Sequence, residues 1–245
     1  MSGHSKWSKI KRGKTIEDAK RGKIFSKIAR LILVAVKEKG GDPTTNPRLR
    51  MAIEQAKAVN MPNENIERAI ARGAGGAEDA KMEDFLYEAY GPGGIALLIE
   101  GITDNKNRTL GEIRNILSKN SGKFVESGGV SYLFQKKGVI LVNIGSSPAD
   151  REALELSAID AGAEDIKWRD NNILEIYMQP EAIDKAKQAL EENQAQIESS
   201  SLAWVPITEI EIAGQKTKDQ ITKLLDALEE QDDVNEIYSN LKLES

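Results

Sequence analysis

The chain has 245 residues, 40% of them hydrophobic and 30% charged, which suits a folded protein of two or three domains. It has no cysteine and one histidine, so disulfides, thiolate chemistry and the usual Cys/His zinc sites are excluded. The net charge of -5 argues against nucleic acid until its placement is read: residues 1–73 carry 17 Lys and Arg against 7 Asp and Glu, and the remainder is acidic.

The basic excess begins at once. The first fourteen residues hold Lys6, Lys9, Lys11, Arg12 and Lys14, no acid, the single histidine His4, and Trp7. A basic arm with an aromatic inside it suits a polyanion that also offers stackable bases. Thr15-Ile16-Glu17-Asp18 reads as a capping box opening a helix that runs to about Lys39 and stops at Gly40-Gly41-Asp42-Pro43. At about 100° per residue, with Lys20 as zero, Lys23, Lys27, Arg30 and Lys37 fall between about 260° and 340°, while Phe25, Ile28, Ile32, Ala35 and Val36 fall between about 60° and 160°. One face is predicted to pack and the other to present a stripe of positive charge. The run Leu31–Val36 is too short for a membrane span or a signal-peptide core.

Asn46-Pro47 opens a second helix, with Asn as N-cap and Pro at the first helical position. Asn60-Met61-Pro62 ends it. A third helix follows, with Gly73 as the expected C-cap. Ala74-Gly75-Gly76 and the acidic run after it mark a boundary.

Beyond it the pattern mixes strands and helices. Strands are predicted near 85–90, 95–102, 130–135, 138–143, 164–168, 173–178, 197–204, 207–212 and 234–238, with helices near 107–120, 149–161, 181–193 and 215–230. Residues 138–204 then read as a βαββαβ unit of the ferredoxin-like kind. The expected fold class is α+β in three domains: a basic helical module (1–76), a discontinuous α/β domain (77–136 with 206–245), and an inserted ferredoxin-like domain (137–205).

No catalytic constellation stands out. Gly91-Pro92-Gly93-Gly94-Ile95-Ala96 fits a dinucleotide fingerprint in letters, but a strand and not a helix follows it, so a hairpin turn is expected. Thr103 to Thr109 links a strand to a helix. Capping by its Asp and Asn side chains is the favoured reading, and phosphate contact through Lys106 and Arg108 is the other. Trp168, Trp204, Phe85, Phe124 and Phe134 are expected in the core.

The blocks Gly3-His4-Ser5-Lys6-Trp7, Asp18 to Phe25, Asn46-Pro47-Arg48-Leu49-Arg50, Asn65 to Ile70, Tyr87 to Gly94, Thr103-Asp104-Asn105 and Gly128 to Phe134 resemble the signature of the YebC/PmpR family. The resemblance implies three domains and a non-enzymatic, nucleic-acid-associated regulator; no cofactor or metal is expected. Bacterial members are described as DNA-binding transcriptional regulators, and some are linked to the ribosome. Mitochondrial relatives are described as translational activators. The resemblance begins at Ser2, which favours a bacterial cytoplasmic member without a presequence. Lys11-Arg12-Gly13-Lys14 replaces a run that often includes a second histidine.

The expected nucleic-acid-binding residues are His4, Lys6, Trp7, Lys9, Lys11, Arg12, Lys14, Lys20, Arg21, Lys23, Lys27 and Arg30, the cations on phosphates and His4 and Trp7 adding hydrogen bonding or stacking. The partner is DNA, or alternatively ribosomal RNA and the ribosome. No membrane partner is expected. The acidic body offers a docking surface for a protein.

Overall fold

A 22-residue helix, α1 (Asp18–Lys39), opens the computed structural model, which describes residues 18–75, 82–144, 151–169 and 172–242. The capping box before α1 lies outside the described residues. At the other end Gly40 takes φ +85° and its N–H reaches the Val36 carbonyl at 2.7 Å, the left-handed stop that glycine allows.

Two further helices, α2 (Pro47–Ala58) and α3 (Asn63–Ala74), pack on α1. Asn46 caps α2 by accepting from the Leu49 N–H, and its amide donates to the Ala35 and Gly40 carbonyls at 2.7 and 2.9 Å. One buried side chain thus starts one helix and ties it to carbonyls at the end of another. The core between them is Ile28, Ile32, Ala35, Val36, Leu49, Ala52, Ala56, Met61, Ile66 and Ala69. Gly73 is not the C-cap. It lies inside α3, where a Cβ would sit 2.7 Å from Val36 Cβ and 2.9 Å from the Leu33 carbonyl. Its role is close helix approach, and Gly75 caps the helix instead.

The first sheet contains β1 (Glu83–Tyr90), β2 (Ala96–Thr103), β3 (Lys123–Val125) and β8 (Val234–Ser239), ordered β3-β1-β2-β8. Gly91–Gly94 is a turn joining antiparallel β1 and β2, with Gly93 and Gly94 at φ +73° and +77°; no helix follows it. The expected hairpin is present. Helices α4 (Lys106–Lys119) and α7 (Gln215–Glu229) supply Ile113, Leu117, Ile221, Leu224, Leu225 and Leu228 to the core shared with Phe85, Leu97, Ile99 and Ile237. A bulge at Glu100/Gly101 shifts the register of β2 against β8. A Cβ at Gly101 would lie 2.0 Å from the Asp233 carbonyl oxygen and 2.5 Å from the Phe85 ring, so only glycine fits this crossing.

The second sheet contains β4 (Phe134–Asn143), β5 (Ala163–Arg169), β6 (Ile173–Met178) and β7 (Ile197–Pro206), in the order β5-β6-β4-β7. With α5 (Arg151–Asp160) between β4 and β5, and α6 (Ile183–Glu192) between β6 and β7, this is the ferredoxin-like βαββαβ topology. The fold is α+β: a helical module, a discontinuous α/β domain and an inserted ferredoxin-like domain. Two compact units emerge, residues 136–204 forming one, and the helical segment sharing the other with the first sheet.

Two expected strands take other forms. Residues 130–135 hold a tight turn at Ser131–Leu133 that leads into β4, because Glu88 draws the amides of this segment inward. Residues 207–212 make only a parallel bridge, Ile210 to Leu241. Phe85 and Phe134 are buried, as expected. Phe124 packs at the core edge under the Arg114 guanidinium, while Trp168 and Trp204 are half-buried beneath Arg151 and Lys136.

Candidate nucleic-acid interface

The arm residues His4, Lys6, Trp7, Lys9, Lys11, Arg12 and Lys14 lie outside the described residues, and the side chain of Lys20 is likewise not described. Arg21, at the start of α1, is exposed.

The next three cations do not form a bare stripe. The Lys23 ammonium donates to the Glu230 carbonyl at 3.1 Å and lies 3.6 Å from the Asp232 carboxylate. Lys27 donates to the Glu229 carbonyl at 2.7 Å. Arg30 donates through Nη1 to Asp233 Oδ1 at 2.7 Å and through Nη2 to the Asp232 carbonyl at 2.6 Å. Spacings of four and three put them on one face of α1, as expected. That face meets the C-terminal end of α7, where the final carbonyls lack intrahelical donors and the helix dipole is negative. The cations serve as its cap. Burial, with the neighbouring Arg30 charge, pushes Lys27 down to about 8, against the pull of Glu229, Asp232 and Glu236.

The sequence held a sign of this. On the same projection Val34 falls near about 320°, inside the basic arc. Val34 and Leu33 are buried with Ile102 of β2, flanked by Leu31 and Met82. A cationic arc that turns apolar one turn later is a packing face.

Asp233 anchors this corner. Besides Arg30 it accepts from Thr109 Oγ1 at 2.6 Å, Arg108 Nη2 at 3.0 Å and Thr103 Oγ1 at 3.1 Å. Burial would raise its carboxyl, but these donors and the Arg30 charge hold it below its usual value. Arg108 is thus turned toward Asp233 and Asp104, Lys106 pairs with Glu83 at 2.9 Å, and Asn105 caps α4 through the Arg108 N–H. The capping reading of this linker matches the structure.

Two other charged residues organise the same unit. Arg48, at the start of α2, grips Asp84 with two hydrogen bonds of 2.6 and 2.9 Å and Glu38 with one of 2.5 Å, tying the helical module to β1. Glu88, almost wholly buried, accepts from the N–H groups of Gly128, Val130 and Ser131 at 2.7–2.8 Å. Burial opposes its charge, and the three amides outweigh it, leaving the carboxyl below its usual value. Tyr90 adds a bond to the Gly129 carbonyl at 3.2 Å. Much of the distinctive sequence therefore holds the architecture. Sequence reasoning missed Asp233, Glu88 and Arg48 as anchors because their partners are 36 or more residues away.

Residues 5–76 match the model of the TACO1/YebC protein N-terminal domain, and residues 82–241 match that of the TACO1/YebC second and third domain. The chain belongs to the TACO1/YebC family. It is 49% identical over 243 residues to a "Probable transcriptional regulatory protein" of Halothermothrix orenii, covering 99% of this chain and 96% of that protein. A Geobacillus protein with the same description is 47% identical, covering 98% and 97%. Among solved structures, a conserved hypothetical protein of Aquifex aeolicus superposes with a TM-score of 0.84 at 44% identity, covering 93% of each chain. This TACO1/YebC chain has, among the described residues, no helix long and apolar enough to cross a membrane, and no group of three or more His, Cys, Asp and Glu placed to hold a metal ion.

Proposed function

We infer that this chain is a non-enzymatic regulator of gene expression that binds nucleic acid, with DNA as its target, and that it acts in the cytoplasm without a cofactor. The observation that carries this reading is the charge asymmetry: five cations and no acid in the first fourteen residues, on a chain whose net charge is -5. The relatives described as transcriptional regulators support it.

Lys6, Lys9, Lys11, Arg12 and Lys14 would neutralise phosphates, with His4 adding a hydrogen bond, and Lys20 and Arg21 continuing the path into α1. Lys23, Lys27 and Arg30, which follow on α1, are engaged at the α7–β8 corner. Phosphate contacts position a protein and carry no base code, so affinity on this surface is sequence-tolerant.

Trp7 favours a second target, single-stranded or ribosomal RNA, because an unstacked base can lie on an indole ring. Crosslinking in cells, followed by sequencing of both recovered DNA and recovered RNA, separates the two. Enrichment of promoter DNA supports the primary reading. Enrichment of ribosomal RNA with no DNA replaces it with the translational one, and recovery of neither overturns both.

A further inference from the structure

The seam between the helical module and the first sheet domain has a small apolar centre, Leu33 and Val34 against Ile102. Around it most of the described polar contacts run from helix cations to oxygens of the sheet domain, while the Asn235 amide donates the other way to the Lys27 carbonyl at 3.5 Å. Lys23, Lys27, Arg30 and Arg48 come from the helices, and the Glu229, Glu230 and Asp232 carbonyls with the Asp232, Asp233 and Asp84 carboxylates come from the sheet domain. A phosphodiester backbone offers acceptors to the same cations, three and four residues apart: a row of anionic oxygens, where the corner offers neutral carbonyls together with carboxylates. The acidic corner is thus an internal stand-in for phosphate.

We propose that this seam is a latch that a polyanion opens, with Lys23, Lys27 and Arg30 exchanging the α7–β8 corner for phosphate. The proposal rests on the nucleic-acid reading above. On the nucleic-acid reading, a strand held by Lys6 to Lys14 is tethered a few residues before Lys23 in sequence, which raises the effective concentration of phosphate at α1. Opening begins at the outer end. The Lys23 and Asp232 side chains are 53% and 70% exposed, and such pairs are weak and salt-screened. The inner pair, Arg30 with Asp233, is 20% and 7% exposed and yields last. While the latch is closed, the fraction of open molecules scales down the apparent affinity. The acidic corner therefore makes this face selective for long, dense polyanions over isolated phosphate groups.

The chain has no cysteine, so labels can be placed at will. Nitroxides at Lys57→Cys on α2 and Lys119→Cys on α4, both exposed, report the distance between the helical module and the sheet domain. The probe is long-chain inorganic polyphosphate, which has the charge of a nucleic acid without bases or duplex shape. One short distance is expected without it, and a longer, broader distribution at saturation. Asp232→Asn should bind polyphosphate about two- to fivefold more tightly and open at lower concentration. Glu126→Gln, at a side chain 91% exposed and not on the seam, should change neither. Binding with an unchanged distance overturns the latch and leaves the nucleic-acid reading intact. Equal affinity of Asp232→Asn and the original chain also overturns the latch. Absence of any polyphosphate binding overturns both.

Discussion

Arg30 and Asp233, 203 residues apart in sequence, meet at 2.7 Å and join the first described helix to the start of the last strand. Asp233 is 5% exposed and takes Thr103, Thr109 and Arg108 on its other oxygen. Replacing it by asparagine keeps the shape, removes the charge and turns one of the two acceptor oxygens into an NH2 that faces donors. Asp233→Asn should cost about 2–4 kcal/mol in urea denaturation at neutral pH. Since the native carboxyl lies below the unfolded value of 3.8, its contribution is complete above that value and is lost as pH falls through the native one. The gap between the two proteins should therefore close in strong acid.

Glu88 gives a second, independent test. Its carboxylate is the acceptor for three amides of the loop before β4. Glu88→Ala leaves those donors without it and should cost about 2–4 kcal/mol. Hydrogen exchange at Gly128, Val130 and Ser131 should accelerate selectively. Unchanged exchange there would show that the turn holds itself.

Gly101 tests the β2–β8 crossing. A methyl group there meets the Asp233 carbonyl at 2.0 Å, and a backbone atom cannot swing away as a side chain can. Gly101→Ala should destabilise by about 3 kcal/mol or more, whereas Gly111→Ala, in open space on α4, should stabilise by about 0.5–1 kcal/mol. Thermal melts of the two variants should move in opposite directions.

Lys27 should leave a signature in alkali. Its native value is about 8 against 10.5 for an unperturbed lysine, so between these values the unfolded chain binds the extra proton. This group's contribution to stability rises with pH across that window. Relative to Lys27→Met, the original chain should gain about 1–2 kcal/mol between pH 7.5 and 9.5. Parallel pH profiles for the two would mean that the ammonium pairs without a burial cost.

The fold was largely readable because its signals are local. Asn46-Pro47 carries its helix-start signal in two adjacent residues, an N-cap and a proline at the first helical position, and the alternation of strand and helix from 138 to 204 specifies βαββαβ. Failures occurred where a distant residue overrode local pattern. Glu88 converts an apolar run at 130–135 into a turn, and Val36 requires Gly73 inside a helix whose end it resembled. The basic arc of α1 is legible in the helical projection, but its neighbours come from residues 229–233, and no local pattern names a partner two hundred positions away. Charge density on the arm, by contrast, is written wholly in composition.

The most direct test of the account is the salt dependence of nucleic-acid affinity. Fluorescence anisotropy with a 20-base-pair DNA duplex and a 20-nucleotide RNA, from 50 to 300 mM KCl, would be compared for the original chain and the variant Lys6→Glu, Lys9→Glu, Lys11→Glu, Lys14→Glu. With four phosphates engaged, the logarithmic slope on the duplex should be about -3 to -4, and the variant should lose binding while melting at the same temperature. A slope near zero, or equal affinity of the two proteins, would contradict the assignment of the arm to nucleic acid.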